Sequence, residues 1–171
     1  IMNVTVITQG TSITTPTASS TFGVNAQETN PRGITFNNDG TKMFIVGTTG
    51  ADVNEYTLST GFDLSSTVTF VDSFSVSAKE SGPTAVKFNT DGTKMFITGV
   101  SSSNVHEYAL STGFDVSTAS FTQTLVTTVD NDNFGLDFSA DGTKMYITGN
   151  QTDKIYEYNL SSAFDISTAT F

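Results

Sequence analysis

Hydrophobic and polar positions alternate along this chain in short stretches, separated by clusters of Gly, Asp, Asn and Ser, which is the pattern of β-strands broken by turns. Ile34-Thr35-Phe36 leads into Asn38-Asp39-Gly40, a tight-turn signal because Asp-Gly tolerates the positive φ that a hairpin demands. A second strand is predicted from Lys42 to Gly47. Its Met43-Phe44-Ile45-Val46 core is apolar at both parities, as in a strand covered on each face. A more mixed third strand runs from Val53 to Leu58. After the loop Thr60-Gly61-Phe62-Asp63, a fourth runs from Val68 to Val76, with Val68, Phe70 and Phe74 on one parity. No segment keeps an i, i+3, i+4 apolar pattern for ten residues, so no helix is predicted.

The same pattern then recurs. Asp39-Gly40-Thr41-Lys42-Met43-Phe44-Ile45 returns as Asp91-Gly92-Thr93-Lys94-Met95-Phe96-Ile97 and as Asp141-Gly142-Thr143-Lys144-Met145-Tyr146-Ile147. Glu55-Tyr56, Glu107-Tyr108 and Glu157-Tyr158 follow in step, and so do Phe62-Asp63, Phe114-Asp115 and Phe164-Asp165. Four strands per period of roughly fifty residues leave two architectures, a β-propeller and a parallel β-solenoid. Solenoid coils are shorter and carry no hairpin turn in every copy. The expected fold is therefore all-β, a propeller with three four-stranded blades at approximately residues 26–76, 77–127 and 128–171. Residues 1–17 lie outside the repeat as an N-terminal arm or extra strand.

The segment from Phe88 to Gly99, followed by Asn104-Val105-His106-Glu107-Tyr108, resembles the blade signature of the YVTN and NHL-like propeller repeats. In those families a strand ending in an Asp-Gly turn precedes a strand ending in a small residue, a variable loop and a third strand. The resemblance covers residues 22–171. It implies the propeller fold but no single activity, because these families include enzymes, adhesins and scaffolds.

Propellers close with about four to eight blades, so three do not make a ring. Phe171 falls in register with Phe70 and Phe121, where an outer strand has barely begun, whereas Phe22-Gly23-Val24-Asn25-Ala26 aligns with the end of one, Phe74 to Ala78. The expectation is a head-to-tail homodimer, half of a six-bladed ring per chain, in which residues 18–25 complete a fourth strand. The alternative is a fragment of a longer propeller.

Composition narrows the partners. A net charge of −10 with seven Lys and Arg disfavours nucleic acid and anionic membrane surfaces, and no apolar run approaches the length of a membrane span. An acidic, cysteine-free chain rich in Ser and Thr suits an extracellular or cell-surface setting. His106 is the sole histidine, so a Ser-His-Asp triad would have to use it and a two-histidine metal site is impossible. Its repeat counterparts are Asn54 and Tyr156, which favours a strand-surface side chain.

Residues that recur in every blade are best explained by blade construction. The Tyr of each Glu-Tyr pair is expected between sheets, its Glu near a Lys or a backbone amide, and Asp63, Asp115 and Asp165 as turn caps. The variable polar loops are the candidate ligand face, contributing Glu28, Asn30, Arg32, Lys79, Glu80, Asp130, Asp132, Asn150 and Asp153. Asp130 and Asp132 have a spacing that could hold calcium, but Phe134 stands where a calcium loop would offer another oxygen, and a solvated loop is favoured. The expected function is a non-enzymatic binding or structural module for a glycan or protein ligand. A lectin-like ring with one pocket per blade interface is the alternative. An enzyme ranks third, and would need a site across the channel from Glu28, Arg32, Glu80 and Asp132.

Overall fold

The computed structural model describes residues 19–171, so the expected N-terminal arm at residues 1–17 lies outside the described residues. Three antiparallel sheets follow one another along the chain, each of four strands. The first contains β1 (Pro31–Phe36), β2 (Lys42–Gly47), β3 (Asp52–Leu58) and β4 (Val68–Ser75). The second contains β5 (Pro83–Phe88), β6 (Lys94–Gly99), β7 (Val105–Leu110) and β8 (Ala119–Leu125). The third contains β9 (Asn133–Phe138), β10 (Lys144–Gly149), β11 (Lys154–Leu160) and the short β12 (Ala169–Thr170). Each sheet is a simple meander, and β1 lies against β5 and β5 against β9, so the first strand of each blade is the innermost.

Turn chemistry sets the hairpins. Gly40, Gly92 and Gly142 take φ of 73°, 73° and 71°, and Asp39, Asp91 and Asp141 accept the amide two residues on. The ring of Phe62, Phe114 or Phe164 from the outer loop of the same blade lies over each glycine, where an added Cβ would come within 2.3 Å of it. These phenylalanines themselves hold φ between 54° and 59°, a strained backbone that the ring packing maintains. Asp63, Asp115 and Asp165 cap the following turn through the amides of Ser65, Ser117 and Ser167. In the second and third blades this turn becomes a single 3₁₀ turn at Val116–Thr118 and Ile166–Thr168, the only helical residues among those described.

The core lies between blades. Phe44, Val46 and Val53 of the first pack on Val86, Met95, Ile97, Tyr108, Leu110 and Val116 of the second. Phe96 and Val105 of the second meet Leu136, Met145, Ile147, Tyr158, Leu160 and Ile166 of the third. Buried apolar area at about 25 cal/mol per Å² supplies the cohesion. The same sequence pattern is buried at both parities in β6, between two blades, and in β2, where Phe22, Val24 and Leu64 pack against Met43 and Ile45 in place of a preceding blade; in β10 and β11, whose other face has no neighbouring blade among the described residues, only alternate residues are buried.

The Glu-Tyr pairs of the first two blades join blades as well. Glu55 pairs with Lys42 at 2.7 Å and accepts from the Val116 amide of the next blade, while the Lys42 ammonium donates to the Phe114 carbonyl. Lys94 pairs with Glu107 and donates to the Phe164 carbonyl in the same way.

Candidate functional site

The loops at one end of the blades hold the residues expected to face a ligand. Three of their carboxylates are engaged by the protein itself. Glu80 is fully buried; one oxygen accepts from the amides of Gly82 and Ser101, the other from the amide and hydroxyl of Ser102. Glu28 accepts from the amides of Asn30, Thr49 and Gly50, and Asp130 from those of Asp132, Gln151 and Thr152 and from the Thr152 hydroxyl. Burial pulls the Glu80 and Glu28 carboxyls upward, but the hydrogen bonds outweigh it and hold both below the usual carboxylate range. Three equivalent side chains thus clip the loop before each innermost strand to the loop between the second and third strands.

The other expected residues are scattered over the same end. Asn30 donates to Thr48 and Asn150 to Asp132, both at exposed positions. The Lys79 ammonium sits 4.0 Å above the Phe121 ring, a cation–π contact at the outer strand. Arg32 is exposed beside an apolar cleft on the first blade, and Asp153 is exposed with φ of 54°. Among the described residues no group of three or more His, Cys, Asp or Glu side chains could hold a metal ion. Both oxygens of Asp130 are directed at donors, which leaves the proposed calcium spacing without its first ligand.

His106 is buried, contrary to the strand-surface expectation, because the Ser102 and Thr124 side chains fold over it. Its Nε2 lies 2.8 Å from the Ser102 hydroxyl and its Nδ1 2.9 Å from that of Thr124. The single Ser102 proton goes to Glu80, so Ser102 accepts from an Nε2–H tautomer, and Nδ1 accepts from Thr124. Burial outweighs the nearby Glu80 charge and holds the imidazole below its ordinary range. A nucleophilic serine would direct its proton to the histidine, with the acid on the far nitrogen. Here the order is reversed, and the arrangement is structural.

A cleft of about 240 Å³ opens at the opposite, hairpin end. All three blades line it, with Thr35 and Asn38 from the first, Lys87, Asn89 and Thr90 from the second, and Asp137 from the third. Thr35, Lys87 and Asp137 occupy one repeat position, directly before the phenylalanine that ends β1, β5 and β9. The phenylalanine that follows recurs in every blade; these three do not. The Lys87 ammonium lies 3.2 Å from the Asp137 carboxylate, and both side chains remain accessible. The readable signal was a column in which Thr, Lys and Asp replace one another directly before a constant phenylalanine. The loop variability at the other end drew attention away from it.

No family model matches the chain, and no curated protein sequence does. Similarity appears among solved structures. A protein from Bacteroides fragilis provisionally named a 6-phosphogluconolactonase is similar at TM-score 0.61 and 14% identity, over 82% of this chain and 37% of its own. The Pseudomonas aeruginosa periplasmic gluconolactonase is similar at 0.57 and 12%, over 82% and 37%. The Cps50 (Swd1) β-propeller domain of Myceliophteria thermophila is similar at 0.55 and 8%, over 75% and 39%. This chain therefore spans well under half the length of these neighbours. The gluconolactonase names overturn the expectation of a non-enzymatic binding or structural module, together with its lectin-like alternative. This architecture is shared with proteins named as enzymes. At such identities the likeness is one of fold, and the chain consists of three β-propeller blades.

Proposed function

We propose that this chain belongs to a propeller enzyme that hydrolyses a sugar lactone at the cleft where the three innermost strands converge. The observation that carries the reading is the accessible Lys87–Asp137 pair, a cation and an anion set together in a polar concavity at positions where the repeat is broken. The gluconolactonase names among proteins of similar fold support the reaction class by analogy.

Lactone opening needs an activated water and a partner for the negative charge that develops on the carbonyl oxygen. The Asp137 carboxylate takes a proton as the water oxygen bonds to the carbonyl carbon, and the Lys87 ammonium faces the resulting oxyanion. When the ring C–O bond breaks, the departing oxygen takes that proton back from Asp137, leaving a hydroxy acid. Asn38, Asn89 and Thr90 supply amide and hydroxyl groups of the kind that bind sugar hydroxyls. A net charge of −10 repels a doubly charged phosphate ester, so the favoured substrate is an uncharged lactone.

Proton release from glucono-δ-lactone, followed at constant pH in weak buffer, tests the proposal. The chain is expected to accelerate hydrolysis above the spontaneous rate. Lys87→Ala and Asp137→Asn should each lower the protein-dependent rate by about a hundredfold. A folded chain with no acceleration, or variants as active as the parent, refutes it.

A further inference from the structure

The geometry points to a second copy of this chain as the occupant of both open blade faces, closing a six-bladed ring head to tail. Residues 19–24 carry the argument. They belong to no strand, yet they lie against the first blade as the outer strand of one blade lies against the next. Phe22 meets Tyr56 edge-on at 5.7 Å and 79°, and Phe74 of β4 meets Tyr108 of the second blade at 5.5 Å and 79°. The turn that follows is also the same, with Glu28 N–H donating to the Val24 carbonyl and Glu80 N–H to that of Val76, both at 2.9 Å. The first blade thus already carries the end of an outer strand that belongs to a preceding blade.

The third blade offers the matching strand edge. β12 pairs only with Asn159 and Leu160, whereas the corresponding β8 extends along all of β7 as far as Val105. The free stretch of β11 runs from Ile155 to Tyr158. Repeat equivalence gives the register, with Thr21 of the second copy opposite Tyr156 and Phe22 opposite Ile155, as Ser73 lies opposite Asn54 and Phe74 opposite Val53. The Val24 amide then donates to the Asp153 carbonyl, as the Val76 amide does to that of Ala51 at 2.9 Å.

The faces match in the same way. Phe44, Val46 and Val53, which cover the second blade, have Tyr146, Thr148 and Ile155 as counterparts on the third, and Ile155 is 73% exposed. They would cover Ile34, the 55% exposed counterpart of Val86, and close over an apolar cleft of about 270 Å³ beside the already buried Met43 and Ile45. The Lys144–Glu157 pair stands unshielded at 40% and 46% exposure, where the pairs of the other two blades clamp a following loop. The second copy supplies that loop, its Phe62 carbonyl to Lys144 and its Leu64 amide to Glu157. Rotation by 180° about the channel makes this contact twice.

Light scattering after size-exclusion chromatography tests the ring. The chain is expected at twice 18.2 kDa at micromolar concentration. Ile34→Asp and Ile155→Asp lie on opposite faces at positions exposed in the single chain, so each should give a monomer with unchanged circular dichroism. Mixing the two variants should restore a dimer, because one of its two contacts is then free of substitutions. A monomeric parent, an assembly of another size, or an Ile155→Asp variant that still dimerises would overturn the proposal.

Discussion

Glu80→Gln tests whether the loop carboxylates hold the blades together. The substitution keeps the shape but turns one oxygen into a donor. Placed opposite the amide and hydroxyl of Ser102, which donate at 3.0 and 2.7 Å, that amide loses two charge-assisted hydrogen bonds and meets an N–H head-on. At about 1.5–3 kcal/mol per bond to a charged group, the expected loss is about 3–6 kcal/mol. With a urea dependence of about 2 kcal/mol per molar, the unfolding midpoint should fall by about 2 M. Glu28→Gln should cost about half as much, because only the Gly50 amide donates to its second oxygen. The pH dependence separates this account from a packing effect. The folded Glu80 carboxyl is held low, so its contribution is complete above the ordinary carboxylate value and is lost as pH falls through the folded one. Gln resembles the protonated acid, and parent and variant should therefore converge in acid. A neutral-pH loss under about 1 kcal/mol, or a difference that persists unchanged to low pH, would refute the reasoning.

Three further substitutions probe the groups around these carboxylates. His106 is held neutral, so the unfolded chain takes up a proton first and stability should begin to fall as pH drops through about 6.5. His106→Asn should flatten that limb of a plot of melting temperature against pH, and an unchanged slope would exclude the histidine as its source. Burial raises the Tyr108 phenol to about 12 and leaves its hydroxyl without a protein partner. Tyr108→Phe is therefore expected to leave stability unchanged or raise it by up to about 1 kcal/mol in urea unfolding. Tyr56→Phe, which loses a bond to Gln27, should lower it by a similar amount. A loss at Tyr108 as large as that at Tyr56 would reveal a buried water on its hydroxyl.

Much of the fold was legible because its determinants are local. The Asp-Gly-Thr-Lys turns need only the φ of one glycine and the reach of an aspartate to the second amide beyond it, so hairpins, strand ends and blade repeat could be read residue by residue. The role of the Glu-Tyr pairs was legible for a related reason, since an identical residue in every blade implies an identical contact. The part the loop carboxylates play in the scaffold was not legible, because two of the three loop amides that each one accepts from lie 21 and 22 residues away, a distance that only the folded blade closes. His106 was placed on the surface because its covering hydroxyl Thr124 comes from another strand, 18 residues on. The cleft was harder still. Lys87 and Asp137 sit fifty residues apart on different blades and meet only because β5 and β9 run side by side. Sequence by itself determined the blade, since alternation and turn geometry act over a few neighbouring residues. Tertiary structure alone decided which polar groups are spent on the scaffold and which remain free, because burial and pairing depend on the elements that radial packing brings together.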